Sequence, residues 1–169
     1  LESALTAETA NLPLIRQMIW NVAYGEGWAV YGEILAHDRG LYTDDPLGRI
    51  GFLQSMLFRA ARLVADTGMH RDHWTRQQAI DYLAETTGQS PEAMAQEVDR
   101  YAVWPGQAAA YWVGAQRILD LRERSQRVLG PDFDLAEFHA VVLAGGPRPL
   151  SLLERDVERW YISKVDLSN

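Results

Sequence analysis

The sequence predicts an all-α fold, an irregular bundle of about seven helices, and three observations carry that expectation. Apolar residues recur at helical spacing along most of the chain. Residues that start and stop helices bracket those runs. No alternating apolar–polar run bounded by hairpin turns suggests a strand.

Taken in order, Asn11 is a candidate N-cap with Pro13 in the first turn, and Leu14, Ile15, Met18, Ile19 and Val22 follow at helical spacing. This first helix is expected to cross Gly25, Gly27 and Gly32, reach about His37 and end at Gly40. Asp45-Pro46 caps a second helix carrying Leu53, Met56, Leu57, Ala60, Ala61 and Val64, expected to stop near Gly68. Thr75 and Gln78 form a capping box for a third, closed by Gly88. Ser90-Pro91 opens a fourth, to about Tyr101, and Pro105 opens a fifth, with Tyr111, Ile118, Leu119 and Leu121 on its line and Gly130 at its end. Asp134 with Glu137, and Ser151 with Glu154, predict boxes for a short sixth helix and a terminal seventh.

The 169 residues suit a single helical domain over 1–169 with a sizeable core. A formal charge of -7 disfavours a nucleic-acid partner. Charges interrupt every apolar run, so no bilayer span is expected. There is no cysteine, which excludes disulfides, thiolate chemistry and any zinc site built on Cys. Composition leaves periplasm and cytoplasm both open. The first residue is Leu1, consistent with a trimmed precursor, a designed fragment or a proteolytic product.

Four groups of residues bear on chemistry. In Tyr24-Gly25-Glu26-Gly27-Trp28, a carboxylate sits between two glycines inside a helix. Each glycine costs about 1 kcal/mol against alanine, so close approach of a ligand or of another backbone is expected in compensation. Glu26 then suits a metal ligand or base with Glu33 behind it, or the glycines serve a tight helix crossing and Glu26 pairs locally. Asp66 and His70 are four apart across Gly68, which is expected to break the helix between them. They suit acid–base or metal work, or satisfy each other. In the string Arg100-Tyr101-Ala102-Val103-Trp104-Pro105-Gly106-Gln107, with Tyr111 after it, Arg100 could hold a carboxylate and Tyr111 could donate to an oxyanion. The same string also reads as an aromatic-packed corner. Arg59 and Arg62 flank the apolar stripe of the second helix, lining a site or covering apolar surface with their stems. The Arg/Glu run from Arg117 to Arg127 reads as a solvated face with i,i+4 pairs.

Taken together, Glu26-Gly27-Trp28-Ala29-x-Tyr31, Asp66-Thr67-Gly68-x-His70, Trp74-Thr75-Arg76-x-Gln78-Ala79, Glu97-Val98-Asp99-Arg100-Tyr101, Trp104-Pro105-Gly106-Gln107-Ala108, Tyr111-x-x-Gly114 and Phe138-His139 resemble the bacterial domain-of-unknown-function family 885. The resemblance runs from about Tyr24 to Val157. It implies the C-terminal portion of a zincin-like zinc metallopeptidase whose upstream part carries a His-Glu-x-x-Pro-Gly-His-like helix. By that resemblance Glu26 is the third zinc ligand. His70 and Tyr111 are catalytic candidates that stabilise the tetrahedral intermediate, and Arg100, Tyr101 and Gln107 bind a peptide substrate.

The chain itself has no His-Glu pairing. A catalytic zinc needs three protein ligands and a water, so the chain alone is expected to hold no zinc and to be inactive. Its expected partner is the upstream part of its own chain, whose absence would leave an apolar surface and promote self-association. Two rival readings are a non-catalytic helical binding or assembly module, and a small-ligand sensor walled by Trp28, Trp104 and Tyr111.

Overall fold

Helix punctuation decides where each element begins. The computed structural model describes Leu12 and residues 14–168. Among these, every regular element is helical: α1 (Leu14–Met18), α2 (Val22–Asp38), α3 (Pro46–His70), α4 (Arg76–Thr87), α5 (Pro91–Val103), α6 (Gln107–Leu129), α7 (Leu135–Ala144) and α8 (Leu150–Ser168), with a 3-10 turn at Gly130–Asp132. The all-α expectation holds. The expected cap at Asn11 and Pro13 lies outside the described residues.

Most of the predicted starts form as read. Asp45 Oδ1 accepts from the Gly48 N–H at 2.9 Å, with Pro46 behind it at the first helical position. Thr75 and Gln78 close both halves of their capping box, and Gly88 ends α4 in the left-handed region at φ 69°. Ser90 caps α5 through the Ala93 N–H at 3.2 Å. Asp134 caps α7 through the Glu137 N–H at 2.8 Å, while the Glu137 carboxylate pairs with Lys164.

Three boundaries differ from expectation. The predicted first helix is two, because the chain breaks at 19–21 and Asn21 caps α2 anew through the Tyr24 N–H at 3.2 Å. Gly68 does not stop α3, which continues to His70; Gly68 instead makes room for the Trp74 indole, whose ring a Cβ would meet at 2.5 Å. The Ser151–Glu154 box does not cap α8. That helix starts at Leu150, the Leu152 and Leu153 N–H groups donate to the Pro149 carbonyl, and Glu154 turns to Arg117 and Arg124.

The chain divides into two compact units, one of Leu1–Trp28 with Gly114–Asn169 and one of Ala29–Val113. In the unit of Ala29–Val113, α3, α4 and α5 close over a core of Ala61, Ala65, Ala79, Ile80, Leu83, Met94, Val98 and Tyr101, with Trp74 packed against it. The N-terminal half of α3 presents exposed apolar residues: Leu47, Ile50, Leu53 and Leu57. In the other unit Tyr24, Ile118, Leu121, Phe138, Val142, Leu153 and Val157 are buried. There the Tyr24 hydroxyl donates to the Val142 carbonyl at 2.7 Å. Buried Arg148 donates to the Val141, Val142 and Gly146 carbonyls and pairs with Asp156 at 2.9 Å. Burial lowers its pKa below the ordinary arginine value.

Candidate functional site

The unit of Ala29–Val113 gathers polar side chains around the joint between α5 and α6. Pro105 cannot continue a helix, and Gly106 takes φ 80°, a left-handed conformation that glycine adopts without strain. Asp66, almost fully buried on α3, holds that joint: its two carboxylate oxygens accept from the Gly106 N–H at 2.9 and 3.2 Å. One turn on, because α3 continues through Gly68, His70 Nε2 lies 3.0 Å from the Tyr101 carbonyl and 3.6 Å from Asp66 Oδ1. Together Asp66 and His70 clamp the chain on both sides of the α5–α6 bend.

Arg62, one turn before Asp66, is the centre of the cluster. It is 6% exposed, and its guanidinium carbon stands 4.8 Å from the Tyr111 ring centroid, 5.5 Å from Phe58 and 5.7 Å from Tyr101. Desolvated contacts of this kind are worth about 2 kcal/mol or more each. One Arg62 nitrogen donates to Gln107 Oε1 at 3.2 Å, and Arg100 donates to the same oxygen at 3.4 Å. Glu97 Oε2 lies 3.9 Å from Arg62 Nε and 3.4 Å from Arg100. Gln107 Nε2 in turn donates to the Tyr111 hydroxyl at 3.3 Å.

Three buried atoms of the cluster, Arg62 Nε, Glu97 Oε2 and the Tyr101 hydroxyl, have no hydrogen-bond partner among the described residues. Burial pushes the Tyr101 hydroxyl well above the ordinary tyrosine value; Arg62 opposes this and Glu97 adds to it. Tyr101 therefore stays neutral across the physiological range.

Glu26 belongs to the other unit, on α2. The backbones of α2 and α6 meet there: a Cβ on Gly27 would lie 2.5 Å from Gly114 Cα, and a Cβ on Gly114 would collide with the Ala23 carbonyl. Gly27 thus serves the tight crossing, and Gly25 accommodates the Trp20 ring. The Glu26 carboxylate is half-buried and forms no hydrogen bond or ion pair with any described residue. Trp28, beside it in sequence, stands edge-on to His139 at 5.4 Å.

Of the residues singled out from the sequence, His70, Arg100, Tyr101, Gln107 and Tyr111 come together at the α5–α6 joint. Glu33 is taken by Arg59 in a bidentate pair at 2.8 Å for each bond. Arg62 and Glu97 are the members whose importance spacing alone did not convey. In the Arg117–Arg127 run, Arg127 and Glu123 make the expected i,i+4 pair, but Arg117 and Arg124 reach Glu154 and Glu158 on α8. Among the described residues no helix is long and apolar enough to cross a membrane.

The family model described as "Bacterial protein of unknown function (DUF885)" matches residues 1–157. Among solved structures, a "putative lipoprotein" from Colwellia psychrerythraea superposes with a TM-score of 0.92 at 48% identity, covering 96% of this chain and 28% of that one. A "putative lipoprotein of unknown function" from Shewanella oneidensis gives a TM-score of 0.83 at 25% identity, covering 91% of this chain and 28% of that one. The chain therefore spans less than a third of either similar protein. No curated protein matches it.

Proposed function

The chain belongs to the bacterial DUF885 family of proteins of unknown function, and from that premise we propose that it is the helical C-terminal portion of a zincin-like metallopeptidase. The observation that carries the reading is Glu26: a half-buried carboxylate beside the tight Gly27–Gly114 backbone crossing, left without a partner among the described residues. A half-buried carboxylate with no partner of its own fits one position of a zinc ligand set. Among the described residues no three His, Asp or Glu side chains lie together as a metal site, so in this reading the other ligands come from the upstream part of a longer chain. Zinc, when bound, would supply Lewis acidity toward a peptide carbonyl.

The chain's own residues would form part of the substrate wall. The Tyr111 hydroxyl accepts from Gln107, which leaves its proton free to stabilise an oxyanion. His70 works with it by holding the bend that presents Tyr111. Arg100 and Gln107 would hold the peptide, while Tyr101, expected from the sequence to join them, is buried in the core and instead packs against Arg62. Of the two compartments that composition leaves open, the "putative lipoprotein" descriptions of both similar proteins favour the periplasm. A non-catalytic assembly module is the second reading, and the exposed apolar stripe Leu47, Ile50, Leu53 and Leu57 favours it.

The test is Glu26→Ala in the longer protein, with zinc content and peptide hydrolysis measured together. Loss of both is expected, and unchanged metal content and rate would overturn the assignment.

A further inference from the structure

The stretch Pro46–Phe58 of α3 carries a single charge, Arg49, in a chain that is 23% charged. Leu47, Ile50, Leu53, Leu57, Ala61 and Ala65 follow one another at three- and four-residue spacing, which places them on one stripe of the helix. The C-terminal end of that stripe, at Ala61 and Ala65, lies in the core closed by α4 and α5. Towards the N-terminus the cover runs out. Exposure rises from 44% at Leu57 through 51% at Leu53 and 60% at Ile50 to 80% at Leu47. This half of α3 is nevertheless held from α2: the Phe52 ring stacks on His37 at 4.5 Å, and Arg59 is bound to Glu33. The stripe is therefore a fixed apolar surface that continues the face of α3 already used in the core. Exposed apolar surface of this kind marks a contact with another body.

The lengths of the similar proteins point to that body. This chain matches 28% of each of the two, so more than two-thirds of either lies outside the matched part. We infer that Leu47, Ile50, Leu53 and Leu57 seat a segment from the part of a longer protein outside these 169 residues. That segment extends along α3 the cover that α4 and α5 begin. Its contacting face is apolar, because these four side chains offer neither charge nor hydrogen bond. The docking rests on the chain being part of a longer protein, as proposed above, and not on zinc. A second copy of the chain in the same place, as an assembly module would use, is a different outcome of the test.

The test is the reactivity of introduced cysteines, which suits a chain that has none of its own. Ile50→Cys and Leu53→Cys are made in the longer protein, in variants whose helical circular dichroism matches the parent. Labelling by a maleimide is followed by mass in the tryptic peptide of residues 50–59, and zinc is measured in the same samples. Each thiol should react at least about ten-fold more slowly in the native protein than in urea, because a covered thiol is reached only when the contact opens. The protection should persist on dilution. Equal rates in native protein and in urea, protection that disappears on dilution (a second copy), or a reading frame that adds nothing to these residues would each overturn the docking. Protected thiols in a protein without zinc leave the docking standing and remove the peptidase reading. Bound zinc with freely reactive thiols does the reverse.

Discussion

Asp66 shows how much of the candidate site depends on a single side chain. Its two oxygens hold the Gly106 N–H, and that bond fixes the bend between the residues on α5 and those on α6. Asp66→Ala should lower stability by about 1–3 kcal/mol, with Asp66→Asn milder because one oxygen still accepts. Urea midpoints of the two variants check this, and an unchanged midpoint in Asp66→Ala would mean the bend is held by something else. At this scale the sequence was partly legible. Glu26 drew attention because two helix-interior glycines flank it, and Gly27 proved to need its missing side chain. Arg62 was noticed only as an arginine beside an apolar stripe, because its partner Gln107 is 45 residues away and no local pattern connects them. The Asp66–His70 relation was misread through Gly68. Glycine there answers to the Trp74 ring, a tertiary contact, and the helix tolerates it.

At the level of elements, the crossing of α2 and α6 is the least forgiving contact. Gly114→Ala would drive a methyl group into the Ala23 carbonyl, which is backbone and cannot swing aside. Overpacking of this kind costs about 1–3 kcal/mol or more, so a clear fall in thermal midpoint is expected. Gly51→Ala, at a helical position where a Cβ meets nothing, serves as the control and should hold or raise the midpoint. Equal midpoints for the two variants would contradict the crossing. Helix starts marked by Asp45, Thr75, Ser90 and Asp134 were legible because a cap is a local bond between neighbours in sequence. The start of α8 was not, because Pro149 fixes its first turn while Glu154 answers to arginines on α6. How much of α3 is covered was also hidden. Leu53, Leu57, Ala61 and Ala65 follow one another at i,i+4 spacing, yet Ala61 and Ala65 are buried while Leu53 and Leu57 are exposed, so periodicity gave the helix and not the part of it that packs.

For the molecule as a whole, the fold class was readable from punctuation and period alone, and the family from motifs spread along nearly all of the chain. The division into two compact units was not, since α2 and α6 each contribute residues to both and no linker marks a boundary. The functional account turns on what lies outside this sequence, because one carboxylate is not a metal site. The most direct measurement is to read the coding frame upstream of the Leu1 codon. The account predicts a frame that continues for a length several times that of this chain and encodes a helix with two histidines and a glutamate at zincin spacing. A start codon close to Leu1 would leave Glu26 without partners and contradict the assignment.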